Sequence, residues 1–122
     1  MKQNDLSLRS RGKSFRFAFN GISVFFKQEP NAILHIIATI LVFVAAIFFD
    51  ITKTEWIAII VVTGFVWVAE LLNTAIEKIM DFIQPAYHPS VKYIKDVSAA
   101  AVLLSAITAI LTGAIIFIPK IL

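Results

Sequence analysis

The chain has 122 residues, of which 59% are hydrophobic and 16% charged, whereas soluble domains average roughly 45–50% apolar and about 25% charged. This excludes an ordinary soluble globule and points to one all-α membrane domain spanning residues 1–122. The net charge of +3 does not indicate nucleic acid, because six of the eleven basic residues lie before residue 28, ahead of the first apolar run, and the absence of cysteine rules out a disulfide framework or thiolate metal site.

Residues 5–28 read as an amphipathic helix. Phe15, Phe19, Ile22 and Phe26 fall on one stripe, and Arg9, Lys13, Arg16, Asn20, Ser23 and Lys27 share the opposite face. The apolar side suits the acyl boundary of a bilayer, and the basic side suits headgroups or a cytoplasmic ligand. The basic region is too long, too interleaved with aromatics and too poor in cleavage-site residues for a signal peptide. Glu29-Pro30 ends the helix, since the residue before a proline is driven out of helical geometry.

Three charge-free runs follow. The first, "NAILHIIATILVFVAAIFF", covers residues 31–49, and its His35 is expected to be a packed, hydrogen-bonded residue rather than a ligand. The second extends over 56–82, with Trp56–Ala69 free of charge, and the third covers 97–118. Each supplies the roughly 20 residues that span about 30 Å of hydrocarbon. Ala101, Ser105, Ala109 and Gly113 form a small-residue stripe expected to mark a close helix–helix contact.

The flanks set an orientation. Lys2, Arg9, Arg11, Lys13, Arg16 and Lys27 precede the first span, and Lys78, Lys92 and Lys95 surround the second connection. The first connection has only Lys53, and the C-terminus only Lys120. Positive residues stay inside, so the N-terminus is expected in the cytoplasm and the C-terminus outside.

Within "WVAELLNTAIEKIMD", Glu70, Asn73, Glu77 and Asp81 lie on one narrow helical stripe. The ladder spans roughly 16 Å of axis, from headgroup depth at Glu70 to water at Asp81. A purely structural polar network rarely needs several acids. Mg²⁺ often binds through one or two carboxylates plus substrate phosphates, so two acids here, with Glu29 at the head of the first span, make a candidate metal site. Lys95 and Asp96 return to the same surface. Lys95 offers a point charge for phosphate, and Asp96 is placed to cap the third span, worth about 0.5–2 kcal/mol.

These residues resemble the small prokaryotic membrane lipid kinases, the diacylglycerol kinase and undecaprenol kinase family. The family signature E-x-x-N-[ST]-x-x-E-x-x-x-D is complete from Glu70 to Asp81, and "KDVSAAAV" at 95–102 resembles its K-D-x-x-[SA]-A-A-V element. The likeness extends from "KSFRFAFNGI" to the terminal "IIFIPK". It implies that Glu70 is the general base on the lipid hydroxyl, with Asn73 and Ala99 also at the lipid substrate. It implies Glu29 and Glu77 as ligands of the Mg²⁺ of MgATP, and Lys13, His88, Lys95 and Asp96 at the nucleotide. Some members carry an arginine where this chain has Ser10, between Arg9 and Arg11. A homotrimer with active sites between subunits, in the bacterial inner membrane, is implied as well. The segments "EW" at 55–56, "HP" at 88–89 and "IIFIPK" look more like the undecaprenol kinase branch.

The rival reading is a small ion- or proton-conducting protein with an acidic relay. It calls for acids through the whole bilayer depth, whereas here they crowd one end. A second rival, an accessory subunit without chemistry, would not bind MgATP tightly. For the orientation, Lys53→Cys in sealed vesicles is expected to react with an impermeant thiol reagent from outside only. Labelling from the cytoplasmic side would reverse it.

Overall fold

The computed structural model describes residues 6–122. It contains four helices: α1 (Leu8–Gln28), α2 (Asn31–Phe48), α3 (Lys53–Ile83) and α4 (Pro89–Ile121). The expected start of the first helix at residue 5, and the basic Lys2, lie outside the described residues. The other three helices are long and apolar enough to cross a membrane. The chain divides into two compact units, residues 1–37 and 38–122.

In the first unit, Ser7 caps α1 by accepting a hydrogen bond from the Ser10 amide at 3.1 Å. Along α1, Phe15, Phe19, Ile22 and Phe26 of the apolar stripe stand open while Phe25 is buried, which leaves that stripe for lipid, and Phe17 is open on the basic face. The elbow after α1 turns on Glu29. Its amide closes α1 on the Phe25 carbonyl at 2.9 Å, and its own carbonyl accepts the Ala32 amide at 3.1 Å as α2 begins. Its backbone is extended (φ −104°, ψ 109°), as a residue before proline should be.

In the second unit, α2 stops in a Schellman turn. Ile51 donates to the Ala46 carbonyl at 3.2 Å and Asp50 to that of Ile47 at 3.1 Å, with Asp50 left-handed at φ 51°. Thr52 and Glu55 then form a capping box, which starts α3 at Lys53, three residues before the expected Trp56. Around this turn lies the buried cluster Ala46, Ile51, Ile59 and Ile116, flanked by Phe43, Phe49, Trp56 and Phe117. Trp67 donates its indole N–H to Thr39 at 3.0 Å, tying α3 to α2 farther along.

Helices α3 and α4 pack antiparallel and are pinned at three levels. Lys120 reaches Glu55 at 3.2 Å, Ser98 reaches Asn73 at 2.6 Å, and Lys95 reaches Asp81 at 2.6 Å. The three pairs keep one register along the hairpin. Of the small-residue stripe on α4, Ser105 is fully buried and Ala101 is exposed. Ala109 and Gly113 are half-buried, and the most deeply buried residues of α4 are Ser98, Ser105 and Ile116.

One expectation fails at the start of α4. Asp96 does not cap it, because the helix begins two turns earlier at Pro89, with His88 as N-cap. The His88 Nδ1 accepts the Ser90 amide at 3.1 Å, and proline suits the first helical position, where its missing N–H is no loss. Asp96 is instead in mid-helix and pairs with Lys92 one turn before it, at 2.5 Å.

The left-handed Asp50 gives a stability prediction. A β-branched residue pays roughly 1–2 kcal/mol for that geometry, while glycine takes it freely. Asp50→Val should lower the melting temperature in detergent micelles, and Asp50→Gly should hold or raise it.

Candidate active site

Helix α3 carries the acidic stripe without a break. Its 31 residues rise about 46 Å, some 16 Å more than the hydrocarbon thickness. With Lys53 at one boundary, the hydrocarbon is used up near residue 73. By that count Glu70 would fall just inside the apolar slab, Asn73 at its edge, and Glu77 and Asp81 on the overhang. Helix α4, with 33 residues, overshoots at the same end. The overhang of the two helices holds the polar residues together.

Glu70, Asn73 and Glu77 are half-buried, and Asp81 is exposed. The structure brings Asn73 to Ser98, whose Oγ donates to Asn73 Oδ1, and brings Asp81 to Lys95. An exposed ion pair contributes little stability, about 0–1 kcal/mol, so the Asp81–Lys95 bond matters more for where it holds the ammonium. That ammonium has three donors, and one carboxylate oxygen does not exhaust them. Asp96 is engaged by Lys92 on the exposed face of α4. His88 spends Nδ1 on capping, which leaves Nε2 as its outward nitrogen. Ala99 is exposed, beside Ser98 on α4. Lys13 and Glu29 belong to the unit 1–37, and Glu70, Asn73, Glu77, His88, Lys95, Asp96 and Ala99 to the unit 38–122.

Sequence reasoning passed over Ser98 and Lys92. Ser98 follows Lys95 by three residues, so the two share a helical face, and that spacing was the available signal.

Among the described residues no three His, Cys, Asp or Glu side chains gather as a self-contained metal cage. The donor chemistry nonetheless fits a hard cation that arrives with phosphate. Glu77 is a half-buried carboxylate in the second unit and Glu29 one in the first, and Mg²⁺ needs only one or two such oxygens from protein.

Three helices long and apolar enough to span a bilayer, one of them carrying an acidic stripe in its second half, define an integral membrane protein. The chain belongs to the prokaryotic diacylglycerol kinase family, whose model matches residues 16–117. It is 36% identical over 108 residues to an undecaprenol kinase of Bacillus subtilis, covering 88% of each chain. It is 34% identical to a diacylglycerol kinase of Synechocystis sp., over 89% of this chain and 63% of that one. A diacylglycerol kinase of Escherichia coli K12 is also 34% identical, over 75% of this chain and 70% of its own length. The protein is a multi-pass membrane lipid kinase.

Proposed function

We propose that the protein transfers the γ-phosphate of ATP, taken as its Mg²⁺ complex, to the hydroxyl of a membrane lipid at the cytoplasmic face of the bacterial inner membrane. Undecaprenol is the favoured acceptor and diacylglycerol the next. The observation that carries this reading is the unbroken α3, which sets Glu70, Asn73, Glu77 and Asp81 at intervals of about one turn across the hydrocarbon edge. The undecaprenol preference is supported by "EW", "HP" and "IIFIPK" and by the Bacillus subtilis relative of matching length.

Phosphoryl transfer needs positioning and charge neutralisation more than covalent chemistry. Glu70 sits where a lipid hydroxyl can rise to meet it and takes the hydroxyl proton on a carboxylate oxygen. Asn73 steadies the acceptor one turn away. Glu29 and Glu77 hold the metal through their carboxylates. When bound, Mg²⁺ supplies neutralisation of the charge that builds on the phosphate oxygens. Lys95, kept in place by Asp81, donates to a phosphate oxygen, and Lys13 on the basic face of α1 adds a second cation. His88 at the N-cap of α4 and Asp96 two turns into the helix meet the nucleotide. A homotrimer with sites between subunits is supported by the family likeness and by the exposed Ala99, Ala100 and Ala101 of α4, which let a neighbouring backbone approach closely.

Purified protein given both lipids and labelled ATP is expected to yield mainly undecaprenyl phosphate by mass spectrometry. Product from diacylglycerol alone would reverse the acceptor, and no lipid product at all would sink the kinase reading. Glu70→Gln keeps the side-chain shape but cannot accept the proton, so kcat should fall by about 10²–10⁴-fold with little change in the KM for ATP. Lost ATP binding with intact turnover at saturating ATP would make Glu70 a nucleotide or metal ligand instead. Glu77→Gln removes an anionic oxygen from a hard cation, and activity should then require more Mg²⁺. An unchanged Mg²⁺ titration would remove Glu77 from the metal site.

A further inference from the structure

Four hydroxyls along α4 make hydrogen bonds that differ in kind. Ser105 donates to the Val102 carbonyl at 2.7 Å, Thr108 to that of Leu104 at 2.9 Å, and Thr112 to that of Thr108 at 2.8 Å. Each closes on its own helix, the local solution for a hydroxyl where water is scarce. Ser98 does not. It is 7% exposed and donates across to Asn73 Oδ1 on α3 at 2.6 Å. A hydroxyl that leaves its own helix for a carboxamide oxygen fixes which way that carboxamide faces.

We infer that Ser98 is a positioning residue that sets the orientation of the Asn73 carboxamide, so that its NH₂ group is presented to the oxygens of the lipid hydroxyl and the transferred phosphoryl group. This rests on the reading of Asn73 as a substrate contact. A carboxamide is flat, and its two flipped states have nearly the same shape; one offers two N–H donors and the other an acceptor oxygen. Between Glu70 and Glu77, where negative charge already accumulates, an outward oxygen would repel a phosphate and an outward NH₂ attracts it. Because the Ser98 hydroxyl donates to Oδ1, the oxygen is held toward α4 and the NH₂ is turned away from it. Burial keeps water from replacing Ser98 as the donor. The register of the hairpin does not hang on this bond, since Glu55–Lys120 and Asp81–Lys95 pin it on either side. Ser98 therefore acts on the carboxamide more than on the packing.

The test is kinetic, on full-length protein in lipid nanodiscs, with Ser98→Ala, Ser98→Thr, Asn73→Ala and the Asn73→Ala/Ser98→Ala double variant. Loss of one neutral hydrogen bond should lower kcat in Ser98→Ala by about tenfold, with KM for ATP unchanged. Ser98→Thr, which keeps the hydroxyl, should stay within about twofold of the parent. In the Asn73→Ala background, Ser98→Ala should cost nothing further, because the group it orients is gone. A Ser98→Ala variant as fast as the parent overturns the inference while leaving the Asn73 assignment intact. An equal loss in both backgrounds, with a lower melting temperature, assigns Ser98 to packing and also overturns it. Full turnover by Asn73→Ala would remove Asn73 from the substrate, and the inference would fall with that reading.

Discussion

The structure depends on one constraint: in hydrocarbon no water is available to satisfy a polar group, so each must find its partner within the protein or leave the slab. The backbone meets this by being helical almost throughout. Side chains meet it by pairing. The Trp67 indole donates to Thr39, and the Ser105, Thr108 and Thr112 hydroxyls turn back on their own carbonyls. Carboxylates cannot be treated so cheaply. Those of α3 lie in its first turn, at Glu55, and in its second half, at Glu70, Glu77 and Asp81.

The α3–α4 hairpin turns this constraint into a scaffold. Near the α2–α3 connection the helices close around Ala46, Ile51, Ile59 and Ile116, and Glu55 does double service there. One of its oxygens caps α3 through Thr52, and the other takes the Lys120 ammonium. Toward the α3–α4 connection the packing gives way to polar contacts, first Asn73–Ser98 and then Asp81–Lys95. Most large apolar side chains remain exposed on the single chain. Lipid tails are as apolar as leucine, so cohesion here comes from close packing and hydrogen bonds, not from burial away from water. A firm closed end and a polar open end follow from where each kind of contact is available.

The three spans were legible in the sequence because an uncharged apolar run of about twenty residues suits little besides a bilayer. The starts of α3 and α4 were not, whereas α2 begins at the expected Asn31. Hydropathy cannot see the polar overhang of a helix, and α4 begins at Pro89, eight residues before its apolar run at 97. The signal was local chemistry, a histidine with a lone pair to offer followed by proline, and it was overlooked in favour of Asp96, a more familiar capping residue. The acidic stripe was legible because a period of 3.6 residues aligns Glu70, Asn73, Glu77 and Asp81 on any helix. Ser98 and Lys92 were not, because their importance lies in partners that only folding or helix extension reveals: Asn73 is 25 residues away along the chain, and Lys92 lay outside the expected span. Of the small-residue stripe, Ser105 is fully buried and Ala109 and Gly113 are half-buried, while Ala101 stays open on the single chain.

The excess length of α3 and α4 also bears on how two unlike reactants meet. A lipid alcohol carries its hydroxyl no higher than the headgroups, and a nucleotide comes no deeper than the water. A helix that ended at the hydrocarbon edge would have nothing to offer the nucleotide. One that kept its acids within the slab would have to neutralise them. On the proposed reading, extending α3 about 16 Å past the slab would let a single element serve both levels, with Glu70 at the lower and Asp81 at the upper. The α4 overhang stiffens that extension, since a lone helix end in water would fray, and the two cross-links lie where support is needed. Asn73 stands at the crossing point between the two levels. It is a neutral residue, which limits the cost of placing a polar group there, and its bond to Ser98 uses the carboxamide oxygen and not its N–H donors.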